Sequence, residues 1–315
     1  MSFAIPKTAY TGKIKEVVLG KGPKALTVGG ETSYPFHIFE GEMPHPPRIA
    51  IEVYDTPPDD WSEASLAPYK DVIADPVAWA KKAVDVYGAD LIALQLVSTD
   101  PNGLNRSSEE ATETAKKVAA SVDVPIIVYG SGNPEKDAEL LRKVAEACEG
   151  MNLVIGPVVE GNYKQVGAGA IAYKHTVAAT TPIDINLAKQ LNILLGNLGV
   201  PDGQLIVDPT TGGLGYGIEY TYSVMERDRM AALTQQDERL QFPIICNMAK
   251  EVWKTKEAKA TAEDAPLLGD PTRRGLLMEA ITAQLLLLAG ADVLVMRHPE
   301  AVRLVREMIA DFKAN

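Results

Sequence analysis

Cysteine is nearly absent from this chain. Two residues, Cys148 and Cys246, stand far apart with no CxxC anywhere, so neither a disulfide framework nor a thiolate cluster is encoded, and the four thiolates of an iron–sulfur cluster cannot come from here. Histidine is scarce too. His37, His45, His175 and His298 show neither HxH nor HExxH spacing, which argues against a zinc site built by the protein. Positive charge is in deficit: the formal net charge of -11 excludes the clustered Lys and Arg that nucleic acid or an anionic membrane surface requires. No long hydrophobic run occurs, since the most apolar stretch, 280–296, is interrupted by Thr282, Gln284, Gly290 and Asp292. The start, MSFAIPKTAY, lacks the basic segment and apolar centre of a signal peptide. A cytoplasmic protein is expected, without nucleic acid or membrane as partner.

What is present is an alternation. From residue 49 onward, short apolar runs rich in β-branched residues alternate with amphipathic stretches of helical period. The runs at 49–55, 91–96, 125–131, 153–159, 176–181, 204–209, 242–248 and 293–297 read as strands buried on both faces. The stretches at 76–87, 107–121, 134–148, 163–173, 185–198, 220–234, 273–289 and 299–313 read as helices. Their ends carry start and stop chemistry, such as Asn133-Pro134, Ser107 ahead of Glu109 and Glu110, and the stops Gly88, Gly150, Gly199 and Gly290. Eight βα units over this length predict an α/β fold, a TIM (β/α)₈ barrel at 49–315. A doubly wound sheet is disfavoured because no GxGxxG follows the first strand. Runs at 13–19 and 25–28 around Gly20-Lys21-Gly22-Pro23 predict a hairpin, part of an extension over 1–48 that caps the barrel floor.

Ligands of such barrels meet the loops that follow the strands. The most unusual of these loops is DPTTGGLGYGIEY, 208–220, with four glycines in six positions, Gly212, Gly213, Gly215 and Gly217. So much glycine suits a phosphate cradle, a tight turn packed on its own barrel, or close approach by a large flat ligand or partner surface; the Gly-Lys-Ser/Thr of a P-loop is missing. Asp184, Asn186 and Asp208, at the ends of adjacent strands, suit the edge of a heterocycle such as a pterin, or serve as helix caps and loop braces. Arg297 and His298 close the last strand: they could orient an anion and act as a base, or Arg297 could pair with a neighbouring carboxylate. Asp55 with the acidic loop 56–75, the loop 130–133, Glu160, Asn247 and the long segment 250–272 complete this face. His175 falls in a helix-to-strand turn at the opposite end and reads as structural. The runs 226–229 and 254–259 read as solvated helix faces. A phosphosugar lyase or isomerase would need a Schiff-base lysine at a strand end; Lys174 lies on the wrong face and Lys250 just beyond strand seven.

Five segments, YPFHIFEGE (34–42), YGADLI (87–92), PIDINLAKQLN (182–192), the glycine loop (208–220) and MRHPEAV (296–302), resemble the small (delta) subunit of the corrinoid/iron–sulfur protein of the acetyl-CoA pathway. The resemblance spans the chain almost end to end. It implies a TIM barrel paired with a larger subunit that carries the [4Fe–4S] cluster and one face of a cobamide. In that scheme a methyltetrahydrofolate methyltransferase donates a methyl group to the cobalt, acetyl-CoA synthase receives it, and this chain covers the corrin with its barrel mouth. The implied cofactor-facing set is Asp184, Asn186, Asp208, Thr210, Gly212, Gly213, Gly215, Tyr216, Arg297 and His298, with no catalytic residue in this chain. Pterin-binding barrels such as dihydropteroate synthase carry an Asp-Pro-Gly stretch that resembles Asp208-Pro209-Thr210-Thr211-Gly212. A pterin-binding methyltransferase acting on its own is therefore the alternative.

Overall fold

The alternation of short apolar runs with helical stretches builds a closed ring of strands. The structure, a computed structural model, describes residues 4–313; the first three residues of the extension and the last two of the expected barrel lie outside them. Strands β1 (Val17–Leu19) and β2 (Leu26–Val28) pair as an antiparallel hairpin. There follow β3 (Arg48–Tyr54), α1 (Glu63–Leu66), α2 (Pro76–Asp85), β4 (Leu91–Gln95), α3 (Ser108–Ala119), β5 (Ile126–Tyr129), α4 (Pro134–Ala147), β6 (Val154–Val158), α5 (Tyr163–Tyr173), β7 (Thr176–Thr180) and α6 (Ile185–Leu198). The chain completes with β8 (Leu205–Asp208), α7 (Ile218–Leu233), β9 (Ile245–Asn247), α8 (Ala249–Trp253), α9 (Lys256–Lys259), α10 (Pro271–Leu288), β10 (Val293–Met296) and α11 (Pro299–Lys313). Strands β3 to β10 form one parallel sheet in the order β8-β7-β6-β5-β4-β3-β10-β9, and a parallel bridge between Val207 and Ile244 brings its two ends together. This is the TIM barrel expected from the sequence.

Strand side chains alternate between the two faces of the sheet. Ile49, Ile51 and Val53 of β3, with their counterparts on other strands, pack outward against the helices. Ala50, Ala93, Ile127, Val154, Ala178, Ile206, Ile245 and Val295 pack inward, in one cluster with Val17, Leu19 and Val28 of the hairpin. The hairpin thus fills the floor of the barrel. It is held there by Asn152, just ahead of β6, whose Nδ2 donates to the carbonyls of Val18 at 2.7 Å and Gly20 at 3.0 Å.

Helix ends follow the expected chemistry. Ser107 and Glu110 form a reciprocal capping box on α3, and Asn133 caps α4. Gly88 and Gly290, with φ of 65° and 108°, turn the chain out of α2 and α10 into the next strand. His175 is structural, as expected: buried at the floor, it accepts from Leu153 N at Nδ1 and meets Ala145 O at Nε2, and burial lowers its pKa. Lys174 caps α5 at that same end, in a left-handed conformation.

Four expectations need correction. Strand β9 is three residues long, not seven, because its pairing before Ile245 reduces to single bridging contacts. The acidic stretch 56–75 is not one loop but carries α1, and the long segment 250–272 carries most of α8 and all of α9. The run 226–229 is not a solvated face: Asp228 and Arg229 are buried, and the Arg229 guanidinium donates to Phe242 O at 3.0 Å, Gly290 O at 2.5 Å and Asp292 Oδ2 at 2.6 Å. Among the described residues no helix is long and apolar enough to cross a membrane.

Candidate functional site

Continuing the inward alternation by two residues from the apolar layer reaches the mouth of the barrel, and there the residues become polar: Glu52, Gln95, Tyr129, Thr180, Asp208, Asn247 and Arg297. They divide into two adjoining clusters. On one side Gln95 Nε2 donates to Asn247 Oδ1 at 3.0 Å, and Asp208 Oδ2 accepts from the Tyr129 hydroxyl at 3.2 Å. Asp208 Oδ1 accepts from Thr210 N at 3.0 Å. These groups, with Ser131, Thr211 and Lys250, line a well of about 220 Å³. Burial pushes the Asp208 carboxyl up to about 6, against the hydrogen bonds from Thr210, Tyr129 and Thr180 that favour its ionised form.

On the other side the fully buried Glu52 accepts from Arg297 Nε, and the Arg297 guanidinium lies 3.6 Å from the centre of the Trp61 ring. Burial raises the Glu52 carboxyl, and its Oε2 has no hydrogen-bond partner. From α10, buried Glu279 accepts from the backbone N–H of Arg297, from His298 N at 3.1 Å and from Trp253 Nε1 at 2.8 Å, tying α8, α10 and the end of β10 together. Burial is the main cause that lifts its pKa to about 7. A cavity of about 590 Å³ opens above, lined in part by Tyr54, Trp61, Trp253, Lys254 and Arg297, and shares Lys250 with the smaller well.

The glycine loop runs along the rim between β8 and α7. Thr210 adopts φ 60° and donates from Oγ1 to Thr181 O at 2.6 Å, while Gly212 N donates to Thr221 Oγ1 at 3.1 Å. Gly213, with φ 72°, accepts at its carbonyl from Tyr216 N at 3.0 Å and Gly217 N at 2.6 Å, closing a tight turn. A Cβ on Gly213 would come within 2.7 Å of the Gly217 carbonyl carbon, so only glycine fits. Gly215 is exposed main chain, and Tyr216 beside it is 86 % exposed.

The structure therefore separates the residues singled out from sequence. Asp208 and Thr210 meet at the well, whereas Asp184 Oδ1 accepts from Asn186 N and Leu187 N as the cap of α6, and neither Asp184 nor Asn186 lines the well. The trio is not brought together around one ligand edge. Arg297 pairs with a carboxylate, and His298 stacks on Trp253 at 6.0 Å while its Nδ1 accepts from Glu300 N. Sequence reasoning missed Glu52, Gln95, Tyr129 and Thr180. The available signal was strand phase: each has the inward phase of its strand, and Gln95, Tyr129 and Thr180 are the last residues of β4, β5 and β7.

The family described as CO dehydrogenase/acetyl-CoA synthase delta subunit matches residues 16–312. The chain is 40 % identical to the acetyl-CoA decarbonylase/synthase complex subunit delta of Archaeoglobus fulgidus, covering 96 % of this chain and 69 % of the relative. It is also 40 % identical to the same subunit of Methanopyrus kandleri, over 91 % of this chain and 70 % of that one. Among solved structures it resembles dihydropteroate synthase from Xanthomonas albilineans, with a TM-score of 0.60 at 15 % identity over 95 % of this chain and 98 % of the other. The Thermus thermophilus synthase gives 0.58 at 15 % identity, over 96 % and 99 %. At that identity the likeness concerns the fold alone.

Proposed function

Since the chain belongs to the CO dehydrogenase/acetyl-CoA synthase delta subunit family, we propose that it is the small subunit of a corrinoid/iron–sulfur heterodimer and covers a cobamide held by its larger partner. When bound, the cobamide supplies the cobalt that carries a methyl group from a methyltetrahydrofolate methyltransferase to acetyl-CoA synthase. This chain's part is to shape the enclosure. The observation that carries the reading is the rim of the mouth, where the exposed main chain of Gly215 stands beside the Tyr216 ring, 86 % exposed, so that a flat macrocycle meets bare backbone and an aromatic face together. The buried hydroxyl of Thr211 beside it, engaged only weakly by the Cys246 thiol, also suits a polar ligand arriving from above. Of the expected set, Asp208, Thr210, Gly212, Gly213, Gly215 and Tyr216 face the cobamide in this proposal. Arg297 and His298 act at one remove, by fixing the aromatic wall of the larger cavity.

The partner carries the [4Fe–4S] cluster. That assignment is supported by the burial of both cysteines of this chain, Cys148 and Cys246. A partner-facing surface is supported beside the loop, where Leu214, Leu268, Leu277, Ile281 and Leu285 line an apolar groove along α10. Residues 1–48 serve in this proposal as a stopper for the barrel of 49–315. The test is direct: the chain purified alone is colourless, and co-expression with the large subunit gives a 1:1 complex with a corrinoid spectrum. A complex whose cobamide content is the same with and without this chain overturns the proposal.

A second reading, a pterin-binding methyltransferase acting alone, is favoured by the buried carboxyl of Asp208 in its well. It predicts saturable binding of methyltetrahydrofolate to the isolated chain by calorimetry, and a flat titration removes it.

A further inference from the structure

The 220 Å³ well on the barrel axis is smaller than the roughly 300–1,000 Å³ of ordinary ligand pockets. It excludes a macrocycle and admits a side arm. Its walls carry an unusual set of unused groups. The bond from Gln95 Nε2 to Asn247 Oδ1 leaves Asn247 Nδ2 as a free donor and Gln95 Oε1 as a free acceptor. Thr211 Oγ1, in a residue only 3 % exposed, makes no hydrogen bond beyond its weak approach to the Cys246 thiol. Asp208, 4 % exposed, accepts three hydrogen bonds with its two oxygens, against a carboxylate capacity of about four. The free amide groups of Gln95 and Asn247 open on the well side by side, so this wall suits a ligand that brings both N–H and C=O.

Charge narrows the choice further. The titratable groups lining the well are Asp208 on β8, Lys250 and Glu251 on α8, and Tyr129 on β5. A carboxylate arriving beside the buried Asp208 meets a like charge with little solvent to screen it. A neutral amide meets no such opposition: its N–H₂ can donate to Gln95 Oε1 or Asp208, and its carbonyl can accept from Asn247 Nδ2.

Resting on the covering role proposed above, we infer that this well is a recognition site for a primary carboxamide, and that one amide arm from the rim of the corrin enters it. The site makes the chain a reader of the macrocycle's periphery as well as its cover. A corrin whose inserted arm is an acid is rejected, and one altered on an arm outside the well is accepted.

The experiment uses the complex with the large subunit, reconstituted with the parent cobamide or with each separated mono-acid isomer in which one propionamide is hydrolysed. Corrinoid retention after gel filtration is the readout. One isomer is expected to be retained at least tenfold less than the parent, with the others unchanged. In Asn247→Leu and, independently, in Thr211→Val, the parent is retained less and the discrimination among isomers shrinks. Equal retention of every isomer by the wild-type complex, or discrimination unaltered in both variants, overturns the inference. The covering role fails separately, if the large subunit retains the parent cobamide equally well without this chain. Saturable binding of methyltetrahydrofolate to the chain alone, abolished by Asp208→Asn, assigns the well to a pterin and also overturns the inference.

Discussion

Replacing Gly213 by alanine tests whether the rim of the mouth depends on bare main chain. At φ 72° an L-residue costs about 1–2 kcal/mol from its own backbone. The added Cβ also collides with the Gly217 carbonyl group, and displacing it disturbs the hydrogen bonds from Gly217 N and Tyr216 N to Gly213 O, at about 1 kcal/mol each. The sum is about 3–4 kcal/mol. Gly215→Ala provides the control: φ is 86°, but the nearest atom to the new Cβ is Glu257 Oε2 at 3.4 Å, an ordinary contact, so only the backbone cost remains. Gly22→Ala, at the hairpin tip with φ 70° and nothing within 4 Å, is the control remote from the mouth. Because the loop lies at the rim, its strain is relieved by local opening and not by global unfolding. The excess of about 2 kcal/mol at Gly213 corresponds to about thirtyfold in the opening equilibrium. Amide hydrogen exchange reads this directly: protection at Tyr216 and Gly217 should fall about thirtyfold more in Gly213→Ala than in Gly215→Ala, with far-UV circular dichroism unchanged. Cobamide retention in the complex should fall in parallel. Equal protection in the two loop variants, or full retention in Gly213→Ala, would refute the reasoning.

Further outcomes follow from the buried charges. Arg229→Met leaves Asp292 unpaired beside buried Glu31, and should lower the urea-unfolding free energy by about 3–5 kcal/mol, most of it recovered in the Arg229→Met, Asp292→Asn double variant. Burial raises the Asp228 carboxyl to about 7, so the folded state holds a proton there that the unfolded chain releases near pH 4. This contribution is complete below pH 4 and is lost as pH rises through 7. The stability of Asp228→Asn relative to the parent should therefore increase between pH 5 and 8, as read from urea midpoints. Glu279→Ala removes the shared acceptor of Trp253 Nε1 and of the backbone N–H groups of Arg297 and His298. It should shift the tryptophan emission and lower stability by about 3 kcal/mol or more, for three donors lose their partner.

The barrel was legible because buried parallel strands leave continuous apolar runs and because Gly88, Gly150, Gly199 and Gly290 mark helix ends by a backbone need that no other residue meets as easily. The short elements were not. α8 and α9 are five and four residues long, too short for a periodic signal, and they are held by tertiary contacts such as the one between Trp253 and Glu279. Arg229 was misread for a related reason: a charge run shows its composition but not its phase, and only the turn at Gly290 puts a carbonyl where this guanidinium needs one. At the mouth, polar residues at strand ends were found, but capping and ligand roles look alike in a sequence. Asp208 is the last residue of β8 and lines the well, while Asp184, four residues beyond the last inward Thr180 of β7, turns back to its helix.

The hairpin at the foot of the barrel has a bearing on exchange. With Val17, Leu19 and Val28 wedged against the innermost strand residues, whatever enters the axial well must withdraw along its entry route. A subunit seated across that opening would set the pace of departure, and turnover of the guest would then be timed by the parting of two proteins instead of by any gate within this one.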